Sequence, residues 1–159
     1  MKRIAKILEN PQYIDYLNRN AEAEKDRVFC HHDLCHAVDV ARVAYIMVLE
    51  NRLMIKKDII YAAALLHDIG RWKEYAQGLD HAEVSAQLAV DILIDSGFNS
   101  EERDFILRAI RDHRKDGNQS TFFSSVLYKS DKMSRLCNEC LAREQCKRFS
   151  DGRQPELYY

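Results

Sequence analysis

Glycine and proline are scarce in this 159-residue chain, at five and two residues. Few breaks are therefore available, and the abundance of Ala, Leu, Ile, Glu, Lys and Arg favours helix throughout. No stretch approaches the roughly 20 apolar residues that cross a bilayer, which argues against a membrane protein. An apolar leader core is missing after Met1, where Lys2, Arg3 and Lys6 interrupt the first turns. An excess of one charge is missing too. With 24 basic and 25 acidic residues the formal charge is -1, which argues against a nucleic-acid binder working by bulk electrostatics, and no sequence-specific nucleic-acid partner is expected. The five cysteines are an odd number without a secretion signal, so the expected home is a reducing, cytoplasmic compartment. Alternating strand patterns, internal repeats and low-complexity tracts do not stand out. A hydrophobic content of 47% with 31% charged residues is globular, and the length suits one domain with a full core. The expected fold class is an all-α single domain.

The chain reads as a series of helices. Ile4, Ile7 and Leu8 fall at helical spacing, and Asn10-Pro11 opens a second helix with Asn as cap and Pro at the first position. The Ala21–Arg27 run reads as a solvated face or connector. A long helix is expected from about Leu34 to Leu53, with His36, Val40, Val43 and Met47 in one stripe. Lys56 to Ile69 reads as a central helix, and Trp72 to Gly78 as a polar-aromatic link. Asp80 with Glu83 resembles a capping box before a helix carrying His81, Val84, Leu88 and Ile92, which Gly97 ends. Asn99 with Glu102 starts another, striped by Ile106, Ala109, Ile110 and His113. After a polar loop from Arg114 to Ser120, a last core helix brings Val126, Leu127 and Tyr128 ahead of Asp131.

The most informative segment is Tyr61-Ala-Ala-Ala-Leu-Leu-His-Asp-Ile-Gly-Arg71, an apolar run that ends in two ionisable residues. On a helix His67 continues the face of Ala63, and Asp68 that of Ala64, so both point inward. Such a pair is costly when buried unless it is compensated. A bound cation compensates it, because it takes a neutral imidazole and an ionised carboxylate together. The plainer alternative is a hydrogen-bonded core His beside a helix-terminal Asp. Further members tip the balance: His36, His67, Asp68, His81, His113 and Asp131 lie on five expected helices, each on or beside an apolar stripe. Ionisable groups are rarely buried, so inward placement from five helices suggests convergence on one polar centre. Mixed imidazole and carboxylate donors suit Mn, Fe, Ni or Zn better than Ca.

The order H…HD…H…H…D, with Leu65-Leu66-His67-Asp68-Ile69-Gly70 at its centre, resembles the HD-domain superfamily of metal-dependent phosphohydrolases. The resemblance covers residues 28–136, with residues 1–27 as an N-terminal helical segment and 137–159 as a Cys-containing tail. It is similar to small single-domain bacterial members, among them the HD-type diadenosine tetraphosphate hydrolases. It implies an HD-type helical bundle in which His36, His67, Asp68 and Asp131 hold one divalent cation (Mn, Fe, Ni, Co, Mg or Zn). His81 and His113 would hold a second ion or contact phosphate. The implied activity is hydrolysis of a phosphoester or phosphoanhydride, with a nucleotide or related small phosphorylated molecule as partner. Asp68 and His67 would serve the reacting water, and His81 and His113, in a one-ion enzyme, would steer phosphate or protonate the leaving oxygen. Arg71 is placed for phosphate binding through its planar fork, and Lys132 and Arg135 are further candidates unless they are simple surface charge.

Several features stay open in the sequence. His32, one turn before His36, either lines the site mouth or marks a helix entry, while Asp39 faces away as an ion-pair or capping partner. Cys137, Cys140 and Cys146, with Cys30 or Cys35 as a fourth, offer a zinc or iron–sulfur site or else reduced thiols. The Gln154–Tyr159 end is a partner-docking tail or an unstructured one, and a homodimer stays open. A non-hydrolytic metal or nucleotide sensor on the same fold is the alternative function, and a purely structural bundle the least favoured.

Overall fold

Every residue from Ala62 to Leu66 is buried, as befits a helix that is apolar on all sides. The computed structural model describes residues 1–114, 117 and 119–159, so part of the expected Arg114–Ser120 loop lies outside the described residues. The helices are α1 (Lys2–Glu9), α2 (Pro11–Ala23), α3 (Leu34–Glu50), α4 (Lys57–Leu66), α5 (Arg71–Gln77), α6 (His81–Asp95), α7 (Ser100–Asp112) and α8 (Phe122–Met133). Three short 3-10 turns, Cys137–Glu139, Arg143–Gln145 and Lys147–Phe149, shape the tail. No strand occurs among the described residues, and no helix there is long and apolar enough to cross a membrane. Helix α4 sits at the centre and packs against α1, α3, α6 and α7; α8 closes the bundle against α3 and α7.

Local chemistry explains most of the starts. Asn10 accepts from Gln12 N and Tyr13 N, with Pro11 opening α2. Asn99 and Glu102 form the full capping box of α7. Asp80 caps α6 through Ala82 N and Glu83 N, while no reciprocal bond from Glu83 is present. Asp39 pairs with Arg42 at 3.1 Å, one of its two expected roles.

Four local expectations differ from the structure. Helix α3 ends at Glu50 rather than Leu53. Helix α4 ends at Leu66, and His67–Gly70 form a turn. Trp72–Gln77, expected to be a link, belong to α5, which ends at Gly78 with φ +70°. The Ala21–Arg27 run is not simply solvated, because Glu24 is buried. A single side chain explains much of this. Buried Asn20 donates to the Asp68 carbonyl (2.9 Å) and accepts from Trp72 N (2.9 Å), so one amide brackets the turn. Gly70 N donates to Ser85 Oγ at 2.9 Å, which ties the turn to α6 as well.

Far from that turn, Arg3 joins three elements. It bonds Asp58 at 2.8 Å, pairs with Glu102, and lies 4.0 Å over the Phe98 ring. The Arg3 hydrogen bond, despite some desolvation, holds the Glu102 carboxyl down at about 2. A depressed folded-state value stabilises above the unfolded value of 4.5 and stops doing so as pH falls toward 2. Wild type should therefore exceed Glu102→Gln by about 1 kcal/mol at neutral pH. Urea unfolding from pH 6 down to pH 3 should show that gap narrowing, whereas a constant gap would mean the cap alone sets it.

Candidate metal centre

Backbone and carboxylate acceptors orient the buried imidazoles. His67 Nδ1 donates to the Ala64 carbonyl (2.7 Å), and His113 Nδ1 to that of Ile110 (2.6 Å). Each is the first residue past a helix, bonded to a carbonyl of the last helical turn. His81 Nδ1 lies 2.7 Å from Glu74 Oε2, and His32 Nδ1 faces Glu24. With Nδ1 protonated toward these acceptors, each Nε2 lone pair is left facing the centre, the arrangement of metal-binding histidines.

Two donor sets result. Ligand atoms of His36, His67, Asp68 and Asp131 all lie within 4.8 Å of one another, and so do those of Asp68, His81 and His113. Asp68 belongs to both. Its Oδ2 is 3.1 Å from His67 Nε2, and its Oδ1 is 3.2 Å from His81 Nε2 and 3.6 Å from His113 Nε2. On the far side, His36 Nε2 is 3.1 Å from Asp131 Oδ1. His67 Nε2 and Asp68 Oδ1 are buried without a hydrogen-bond partner. His81 Nε2 and His113 Nε2 stand only 3.2 Å apart, so two facing lone pairs need a proton or a cation between them. These residues fit a divalent ion at the first set and a second ion at the other.

Electrostatics agrees with that fit. Burial opposes ionisation of Asp68, but the facing imidazoles of His67, His32 and His113 outweigh it and hold the carboxyl well below the usual range. Asp131 is likewise held low, burial being overcome by His36, His67 and Arg135. Burial lowers His67, yet Asp68 and Asp131 overcome it and raise the ring to about 10. The centre thus favours a positive charge at His67 Nε2, whether a proton or a cation supplies it.

The basic candidates surround these sets. Arg71 Nη1 donates to Glu74 (2.7 Å) and touches His81 Nδ1 (2.7 Å), while Nη2 lies 3.3 Å from His32 Nε2. Lys132 Nζ and Arg135 Nη2 reach Asp131 at 2.6 and 2.8 Å. Of the two readings of His32, the structure supports the site mouth, because its Nε2 stands 3.8 Å from Asp68 Oδ2. The cysteines do not gather in the same way. All five are free thiols, Cys35 is exposed, and none joins a cluster of three donors among the described residues.

Sequence reasoning passed over Asn20, Glu24 and Glu74. The first two were findable, since Tyr13, Leu17, Asn20 and Glu24 form a stripe at spacings of four, three and four. Glu74 carries no such signal; it matters because its oxygens meet Arg71, His81 and Arg114.

Gly70 shows how tightly the turn is held. A Cβ there would fall 2.6 Å from Val84 Cγ1 and 2.8 Å from Ser85 N, and the second of these is backbone. Gly70→Ala should cost about 1–3 kcal/mol and lower bound metal per chain, read by thermal melting and elemental analysis. Unchanged melting and metal content would show that the turn is not constrained as described.

The model of the HD domain family matches residues 33–147. An uncharacterized protein of Clostridium beijerinckii is 39% identical over 159 residues, spanning both chains completely. The crystal structure of a predicted HD superfamily hydrolase from an uncultured Thermotogales bacterium superposes with a TM-score of 0.59 at 31% identity. That superposition covers 76% of this chain and 66% of the other. With the H…HD…H…H…D residues meeting as two donor sets around Asp68, and a family match over most of its length, this chain belongs to the HD domain family.

Proposed function

We propose that the chain is a metal-dependent phosphohydrolase that cleaves a phosphoester or phosphoanhydride in a small phosphorylated molecule, a nucleotide being favoured. The observation that carries this reading is the pair of donor sets joined at Asp68, with His67 Nε2 and Asp68 Oδ1 buried and unbonded. A divalent ion held by His36, His67, Asp68 and Asp131 would lower the pKa of water and stabilise charge on a phosphoryl oxygen.

The chain's own groups do the rest. Asp68 directs one carboxylate oxygen to each donor set, so it would contribute to holding whatever occupies either. His81 and His113 either hold a second ion or, with one ion, contact the phosphate. Arg71, braced by Glu74, offers a guanidinium fork at the edge of the recess around Asp68, and Lys132 and Arg135 offer further positive charge there. A cavity of about 820 Å³ adjoins this recess and is flanked by Phe29, Tyr128 and Met133, a size and lining that suit a nucleobase.

The test is turnover of purified protein with Mn, Co, Ni, Mg, Zn or Fe(II) on nucleoside mono-, di- and triphosphates, cyclic nucleotides and diadenosine tetraphosphate. Activity that requires added metal, and that falls by about 100-fold or more in Asp68→Ala, is expected. Metal bound stoichiometrically with no turnover on any substrate would favour a sensor instead. No metal and no turnover would remove the enzyme reading.

A further inference from the structure

The cavity beside the metal centre has two unlike walls. His32, Arg71, Lys132 and Arg135 line both this cavity and the recess around Asp68, so they mark the wall nearer the reacting phosphate. The tail lines the space as well, through Gln145, Cys146, Lys147, Arg148 and Arg153. Eight lysines and arginines line the space and no carboxylate does, in a chain whose formal charge is -1. That concentration of one sign favours an anion over a cation or a neutral molecule.

The cations lining the space differ in what already neutralises them, and Arg27 and Lys129, outside the tail, carry no ion pair among the described residues. Lys132 and Arg135 are engaged by Asp131, and Arg71 by Glu74. Arg153 is matched by Asp151. Lys147 carries no ion pair among the described residues, and Arg148 spends Nη1 on the Lys132 carbonyl (2.8 Å) and the Cys137 sulfur (3.9 Å). Neither therefore meets a carboxylate among the described residues, and both line the cavity. The HD family match ends at Lys147, so Arg148 lies beyond it.

We propose that Lys147 and Arg148 form a second anion subsite, which holds a phosphoryl group of the substrate other than the one hydrolysed. The inference rests on the phosphohydrolase reading for the identity of the first phosphate. It narrows the substrate to molecules with at least two phosphoryl groups, because a single phosphate engaged near Asp68 leaves the tail cations without a partner. An 820 Å³ space has room for such a molecule.

Calorimetric titration of the full chain, with saturating Mg²⁺, compares inorganic orthophosphate with inorganic tripolyphosphate. Wild type should bind tripolyphosphate more tightly, and Lys147→Gln and Arg148→Gln should each lower that preference by about tenfold, as expected for loss of a charge-assisted contact. Lys147→Arg keeps the cation and should retain the preference, which separates charge from any disturbance of the tail fold. Equal binding of the two anions by wild type overturns the proposal, and so does a preference that survives both glutamine variants. Absence of turnover with every metal would refute the phosphohydrolase reading alone, since a tripolyphosphate preference that depends on Lys147 and Arg148 would still establish the subsite.

Discussion

A carboxylate that is 8% exposed and ringed by imidazoles sets the terms for the rest of this molecule. Asp68 stays ionised in a place where burial opposes charge, so the surroundings must supply positive charge or lone-pair acceptors from several directions. No single helix can do that. Five elements therefore converge: α3 with His36, the turn after α4 with His67, α6 with His81, the end of α7 with His113, and α8 with Asp131.

What makes this convergence tolerable is a second layer of bonds. The Ala64 and Ile110 carbonyls, Glu74 and Glu24 each take an Nδ1 and leave the corresponding Nε2 turned inward. Glu24 is a buried carboxyl that desolvation would raise, yet bonds from His32 and Tyr75 bring it down to about 2. Asn20 and Gly70 act on the backbone instead. One bridges the carbonyl of Asp68 and the amide of Trp72, and the other lets α6 approach without a side chain between. The energetic logic matches buried polar networks in general, where a fully partnered group is tolerated and a half-partnered one is not.

The tail belongs to a different regime. Its 3-10 turns contain no buried large apolar anchor, and Leu141 and Leu136 lie on the surface. It is tied back by Arg148 to the carbonyl of Lys132 and by Tyr159 to Glu50. Its cysteines were candidates for a metal cluster, but they join no group of three donors among the described residues. What the tail does place near the centre is positive charge.

Helical periodicity made much of this legible beforehand. The stripes of α3, α4, α6 and α7, the Asn10 and Asn99 caps, and the inward residues His36, His81 and Asp131 follow from spacing, because a helix repeats its faces wherever it sits. His67, Asp68 and His113 are buried just past helix ends, where that periodicity no longer applies. The turn at His67–Gly70 and helix α5 did not follow, since Asn20, some 48 residues away in sequence, holds the Asp68 carbonyl. Glu74 was hidden for the same reason: its importance lies in meeting His81 and Arg71, and no local pattern encodes that meeting. By itself the sequence determined which residues face inward and that they are metal-ligand types, for these depend on local periodicity and side-chain chemistry. Tertiary structure alone decided that Asp68 joins two donor sets and that the tail cations share a cavity with it, because those relations are distances between segments remote along the chain.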